Sequence, residues 1–164
     1  MKVDGPVRVL MVCWGNICRS PTAEGILRHL AEQRGVAIAV DSAGTSDEHR
    51  GSPPDHRAIA EAARRGIDIS DQRSRQIRPS DFDDFDLILT ADEMVDDQVR
   101  RKAPSGARAR IMRMTEQLPD YDRYPEVPDP YYGTPGDYRD VYDLLERSMN
   151  ELLESLEDDV QRSG

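Results

Sequence analysis

The feature that most constrains this chain is a change of hydrophobic period across one short loop. Val7–Val12 reads VRVLMV, apolar except at Arg8, as a central strand of a parallel sheet would be. After the loop, Ala23, Ile26, Leu27, Leu30 and Ala31 recur at helical spacing, and Gly35 can end that helix. The alternation then repeats. VAIAV predicts a second strand reaching Asp41, and Ala58, Ile59, Ala62 and Ala63 predict a helix stopped near Gly66. FDLILT predicts a third strand, ADEMVDDQVRRK the helix after it, and RIMRM a fourth strand. Val141, Leu144, Leu145, Met149, Leu152 and Leu156 mark a long C-terminal helix. Such an order implies an α/β fold of three layers, a four-stranded parallel sheet with helices on both faces. The length, 164 residues, suits one domain spanning 1–164. Ligands in such folds bind beyond the carboxyl ends of the strands, which is where the first loop lies.

That loop, VCWGNICRSP, holds both cysteines of the chain and its only tryptophan. Ser20 can cap the following helix, with Pro21 at its first position. The helix N-terminus then offers free N–H groups and the positive end of a dipole to an anion. Gly15 permits a positive φ and Asn16 tolerates one, so successive N–H groups can turn inward as a nest. Arg19 adds a planar fork matched to phosphate. A thiol in that field, such as Cys13, loses its proton easily and becomes a nucleophile. The competing reading is a buried cysteine in an ordinary β–α turn.

Charge and composition remove other classes. A formal net charge of −10 argues against nonspecific nucleic-acid binding and against attraction to an anionic membrane. The N-terminal apolar run is short and broken by Arg8, unlike a signal peptide, and no stretch is long enough to span a bilayer. A cytoplasmic setting is expected, where thiols stay reduced and two cysteines serve chemistry better than stapling. His29, His49 and His56 are scattered, without zinc-type spacing, and no metal or other cofactor is expected.

CWGNICRSPTAEG resembles the signature of the low-molecular-weight protein tyrosine phosphatases, whose loop reads C-x-G-N-x-C-R-S-P. DPYYG (Asp129 to Gly133) resembles that family's general-acid loop, and DSAGTS, GSPPDHR and RQI are similar to its other landmarks, in order along nearly the whole chain. The resemblance implies the family's flavodoxin-like fold, of the phosphotyrosine phosphatase I type. It also implies hydrolysis of phosphotyrosine through a phosphocysteine. Cys13 matches the nucleophile, Arg19 the phosphate clamp and Asp129 the acid that protonates the leaving phenol and then activates water. The phosphate-binding loop would run through Trp14, Gly15, Asn16, Ile17 and Cys18. Ser20 matches a hydroxyl that bonds the departing thiolate, and Asn16 a side chain that contacts Ser20 and Ser42. Tyr131 and Tyr132 match the aromatic wall around a phosphotyrosine ring. Cys18 matches the partner of a reversible disulfide with Cys13. Glu24 sits one place too late for a capping box, so a supporting contact to the loop is the expectation there. Gln72 stands where many relatives have histidine, and Asp92 where they have an acid near the arginine. Read alone, Asp129 could be an ordinary Asp-Pro turn, Asp92 a plain N-cap, and the tyrosines surface or core filler.

Two departures bear on substrate choice. Glu48 aligns with a wall position that is usually tryptophan or tyrosine, so that wall is expected to be missing or charged. Trp14 is larger than the residue usual there, and its indole is expected to border the phosphoester. The partners implied are a phosphotyrosine protein, with a bacterial tyrosine kinase among the candidates, and inhibitory oxyanions such as phosphate or vanadate. Three alternatives stand beside this reading. An arsenate reductase on this loop would need further cysteines. A protein-arginine phosphatase favours a small residue where Trp14 stands. A non-catalytic phosphate-binding module would not need Asp129.

Overall fold

The computed structural model describes residues 5–163. β1 (Val7–Cys13) lies at the centre of the sheet, paired with β2 (Ile38–Gly44) on one side and β3 (Leu87–Thr90) on the other; β4 (Arg110–Arg113) adds beyond β3. The order is β2-β1-β3-β4 and every pairing is parallel. The helices are α1 (Arg19–Arg34), α2 (His56–Arg64), the short α3 (Asp81–Asp84), α4 (Glu93–Lys102) and α5 (Pro135–Ser163). The sheet turns from one winding direction to the other at β1, whose carboxyl end is the expected place for a ligand.

The two-residue period of β1 sorts its side chains between two cores. Val9, Met11 and Cys13 pack with α1, α2 and α5, whose contribution includes Leu27, Ala62, Leu145 and Met149. Leu10 and Val12 pack with Phe82 of α3 and with Val95 and Val99 of α4. The same register puts the Cys13 side chain on the face where α1 begins. Slipping the strand by one residue would bury it among α3 and α4 instead.

The strand and helix pattern read from the sequence is the one observed, with five physical differences. Ser20 does not cap α1: the helix starts at Arg19, and Cys18 occupies the cap position without a side-chain bond to the helix N-terminus. Gly15 does not take a positive φ; among the described non-glycine residues only Asn16 does, at 56°. β2 continues past Asp41 to Gly44, because Asp41 and Ser42 find polar partners of their own and Gly44 pairs with Cys13. α5 begins at Pro135, before its apolar stripe, and α3 went unread because a four-residue turn shows no period. Gly35 ends α1 in the left-handed conformation, as expected.

One close approach fixes α1 against the rest. A methyl group on Gly25 would lie 2.6 Å from Ile69 Cγ2 and 3.2 Å from Ile67 Cγ2. Gly25→Ala gains about 1 kcal/mol in helix propensity but overpacks a site where about 1–3 kcal/mol is the usual cost. Overpacking wins, so urea unfolding of Gly25→Ala should show a net loss of stability; a stabilised variant contradicts this packing.

Candidate active site

The loop between β1 and α1 is held from outside. The carbonyl of Cys13 accepts Thr45 N–H at 3.0 Å, that of Trp14 accepts Ser46 N–H at 3.0 Å, and that of Ile17 accepts Asp55 N–H at 2.8 Å. The Gly15 carbonyl accepts the Ser74 hydroxyl at 3.1 Å. A trans peptide points each following N–H the opposite way, and Asn16 N–H accordingly reaches back to Cys13 Sγ at 3.3 Å. The N–H groups of Gly15 and Cys18 make no hydrogen bond among the described residues. The result is a ring of inward donors around the sulfur, shaped for a tetrahedral oxyanion.

Asn16 holds that ring in shape. Its amide donates to Ser20 Oγ at 2.8 Å and Ser42 Oγ at 2.9 Å, and its Oδ1 accepts Arg75 N–H at 3.0 Å. Because Asn16 donates to Ser20, the serine proton is free to turn to Cys13 Sγ, 3.0 Å away. Ser42 also lies close enough to Glu24 to favour its ionised form, and Glu24 takes Arg28 Nη2 at 2.7 Å. Burial pushes the Glu24 carboxyl up, against the pull of these donors. The expected support from Glu24 therefore runs through Ser42. Gln72 donates to the Pro21 carbonyl at 3.0 Å, inside the first turn of α1.

Arg19 is 3% exposed, and its Nη1 is committed to Asp92 at 2.7 Å and to the Val127 carbonyl at 2.9 Å. Burial works against its charge, but the Cys13 sulfur and Asp92 more than offset this and raise its pKa further. Asp92 also caps α4, accepting Val95 N–H at 2.8 Å, so both readings of that residue hold at once. Arg19 Nη2 stands 3.9 Å from Asp129 Oδ2. Asp129 itself is exposed and accepts Tyr131 N–H at 3.1 Å.

Cys13, Arg19 and Asp129 thus meet in one cleft of about 210 Å³. Its sides are aromatic. His49 stands edge-on to Trp14 (centroids 6.4 Å, 80°) and tilted to Tyr131 (6.4 Å, 42°), and Tyr132 meets Tyr131 at 4.9 Å. Tyr132 is 96% exposed and forms the outer lip. The wall expected to be missing or charged is charged at Glu48, which reaches the lining, and its neighbour His49 adds a ring beside it. His49 has no place in the wall read from the sequence, since one residue's difference in a turn decides which side chain faces in. Trp14 lines the cleft and also packs against the Leu10–Val12 core. Among the described residues no group of His, Cys, Asp and Glu could hold a metal ion, and no helix is long and apolar enough to cross a membrane.

Comparison with known proteins agrees with this geometry. Residues 8–162 match the family model for low molecular weight phosphotyrosine protein phosphatase. The chain belongs to that family. The low molecular weight protein-tyrosine-phosphatase YfkJ of Bacillus subtilis is 39% identical over 158 residues, 94% of this chain and 99% of its own. The crystal structure of YfkJ superposes with a TM-score of 0.88 over 96% of this chain and 99% of its own, at 36% identity. The human low molecular weight phosphotyrosine protein phosphatase is 40% identical over 152 residues, 89% of this chain and 93% of its own. A Drosophila arginine phosphatase also superposes, with a TM-score of 0.86 at 28% identity over 90% of this chain and 96% of its own.

The role of Asn16 can be isolated. Asn16→Ala strands the Arg75 N–H and two buried hydroxyls and leaves alanine at a left-handed φ. Unsatisfied groups of this kind cost about 1–3 kcal/mol each, and partial rescue by water leaves an expected loss of about 2–4 kcal/mol in unfolding free energy. Denaturant titration checks it, and a loss well under 1 kcal/mol would remove Asn16 as the hub.

Proposed function

We propose that the protein hydrolyses phosphotyrosine in protein substrates through a phosphocysteine at Cys13, with no metal in the reaction. One observation carries this reading: the Cys13 sulfur, a ring of inward N–H donors and the Arg19 fork share one cleft with a carboxylate, Asp129. The sulfur attacks phosphorus while the bond to the phenolic oxygen breaks. Asp129 gives that oxygen its proton, so a phenol leaves instead of a phenolate. Charge on the transferred phosphoryl group meets donors already in place. Asp129, now ionised, takes a proton from water as that water attacks the phosphocysteine. The sulfur leaves as a thiolate, received by Asn16 N–H and the Ser20 hydroxyl.

The rings of Trp14, His49 and Tyr131 suit a flat aryl group above the phosphate. The same wall is the argument against a phosphoarginine substrate, whose side chain is longer and not aromatic. Phosphate and vanadate fit the cradle as inhibitors. A cytoplasmic setting suits two free thiols, and a phosphorylated bacterial tyrosine kinase is a substrate of the right class. Redox control follows from the second cysteine. Peroxide turns the Cys13 thiolate to a sulfenic acid, and the Cys18 thiol then condenses with it, releasing water and leaving a disulfide. Burial pushes the Cys18 thiol up to about 12, against the pull of the Tyr138 hydroxyl at 3.5 Å.

A panel of phosphopeptides tests the reading. Phosphotyrosine peptides should turn over with chelator present, phosphoserine and phosphoarginine peptides should not, and Cys13→Ser should be inert while still binding phosphate. Faster turnover of phosphoarginine, or substantial activity in Cys13→Ser, overturns it.

A further inference from the structure

Asp129 carries the leaving-group chemistry in the reading above, yet little holds it. It is exposed and lies in the irregular stretch before α5. Two anchors fix that stretch near the cleft. Upstream, Val127 donates to the Ala91 carbonyl at 2.7 Å and accepts Arg19. Downstream, the anchor is Arg57, a residue that does not line the cleft.

Arg57 is clasped by Asp55, which accepts its Nε at 3.0 Å on one oxygen and its Nη2 at 3.0 Å on the other. Such a fork-to-fork pair fixes the guanidinium plane. Asp55 is in turn fixed at both ends: it caps α2 through Arg57 N–H at 2.9 Å, and its own N–H holds the Ile17 carbonyl of the phosphate loop. From that seat Arg57 Nη2 donates to the Tyr131 carbonyl at 2.9 Å. The guanidinium also lies against the rings of Tyr131, 5.5 Å to the centroid, and of Tyr138, 4.9 Å. Tyr131 N–H then holds Asp129 Oδ1. The hydrogen bonds to Asp55 raise the Arg57 pKa above its ordinary value, and those from Arg57 lower that of the Asp55 carboxyl, so both stay charged at any working pH. A continuous path therefore runs from the phosphate loop to the acid: Ile17, Asp55, Arg57, Tyr131, Asp129.

We propose that Arg57 is a positioning residue for proton donation. Seated by Asp55, it fixes the Tyr131 backbone, and so keeps the Asp129 carboxyl in register with the oxygen that leaves phosphorus above Cys13. The proposal rests on the reading of Asp129 as general acid. The proton still comes from Asp129; Arg57 touches no substrate. Lysine cannot replace it, because a single ammonium cannot fill both Asp55 oxygens and the Tyr131 carbonyl in one plane.

The test is kcat/KM, which reports leaving-group expulsion, over aryl phosphates of graded leaving-group acidity. It is measured for the parent, Asp129→Asn, Arg57→Gln and the double variant, with phosphate inhibition as the control on the loop. Arg57→Lys carries the test if Arg57→Gln does not fold. The expected result is a loss of about tenfold on the least acidic phenols, in line with the cost of a small misplacement, fading on phenols that need no proton. Phosphate inhibition should be unchanged, and Arg57→Gln should cost nothing further in the Asp129→Asn background. An equal loss across all leaving groups, or losses that multiply in the double variant, would overturn the proposal while leaving Asp129 as the acid. A leaving-group dependence in Asp129→Asn no different from the parent's would remove the acid itself, and the role of Arg57 with it.

Discussion

Everything at this site depends on carbonyls being pulled outward. A nest of N–H groups is unstable by itself, since like dipoles converge and the backbone gains by turning some of them away. Here Thr45, Ser46, Asp55 and Ser74 each take hold of one loop carbonyl, and Asn16 locks the turn at a left-handed φ. The donors come from the end of β2, from the cap of α2 and from the segment before α3. The loop is thus as rigid as the tertiary structure around it. The energy that orients its N–H groups is supplied by folding, before any anion arrives.

The electrostatics follow the same economy. The chain is strongly acidic, and Arg19 is the cation set deep in the cleft. Asp92 and the Val127 carbonyl hold one edge of its guanidinium, which turns the other toward Asp129 and the phosphate position. Removing Asp92 would leave a buried guanidinium short of a partner, which is costlier than the pair is stabilising. The aromatic chain from Trp14 through His49 to Tyr132 gives the cleft ring-lined sides.

Sequence reading reached the parts whose signal is local. The period change around Val7–Ala31 showed the strand, loop and helix, and the spacing of Cys13 and Arg19 showed the cradle. Where side chains act across the fold, local reasoning misled. Ser20 had the chemistry of a cap, but its hydroxyl is taken by Asn16 and Cys13, and the helix begins without it. Asp41 and Ser42 resembled the start of a loop, because polar residues in a strand make sense only once Arg75 and Asn16 are known to lie beside them. His49 carried no local mark, and GSPPDHR marked Asp55 and Arg57 as a landmark without showing what they hold. Their partners lie tens of residues away, and only packing makes His49 a wall and Arg57 an anchor. The family resemblance supplied Asp129, whose sequence neighbourhood alone reads as a turn.

The central claim is that this cradle exists to carry a phosphoryl group on sulfur. Its most direct test is rapid acid quench during turnover of a phosphotyrosine peptide, followed by mass spectrometry of the digested protein. The account predicts a phosphoryl adduct on the peptide that contains Cys13, formed within one turnover and chased to inorganic phosphate. An adduct on any other residue, or steady turnover with no adduct at any quench time, would contradict it.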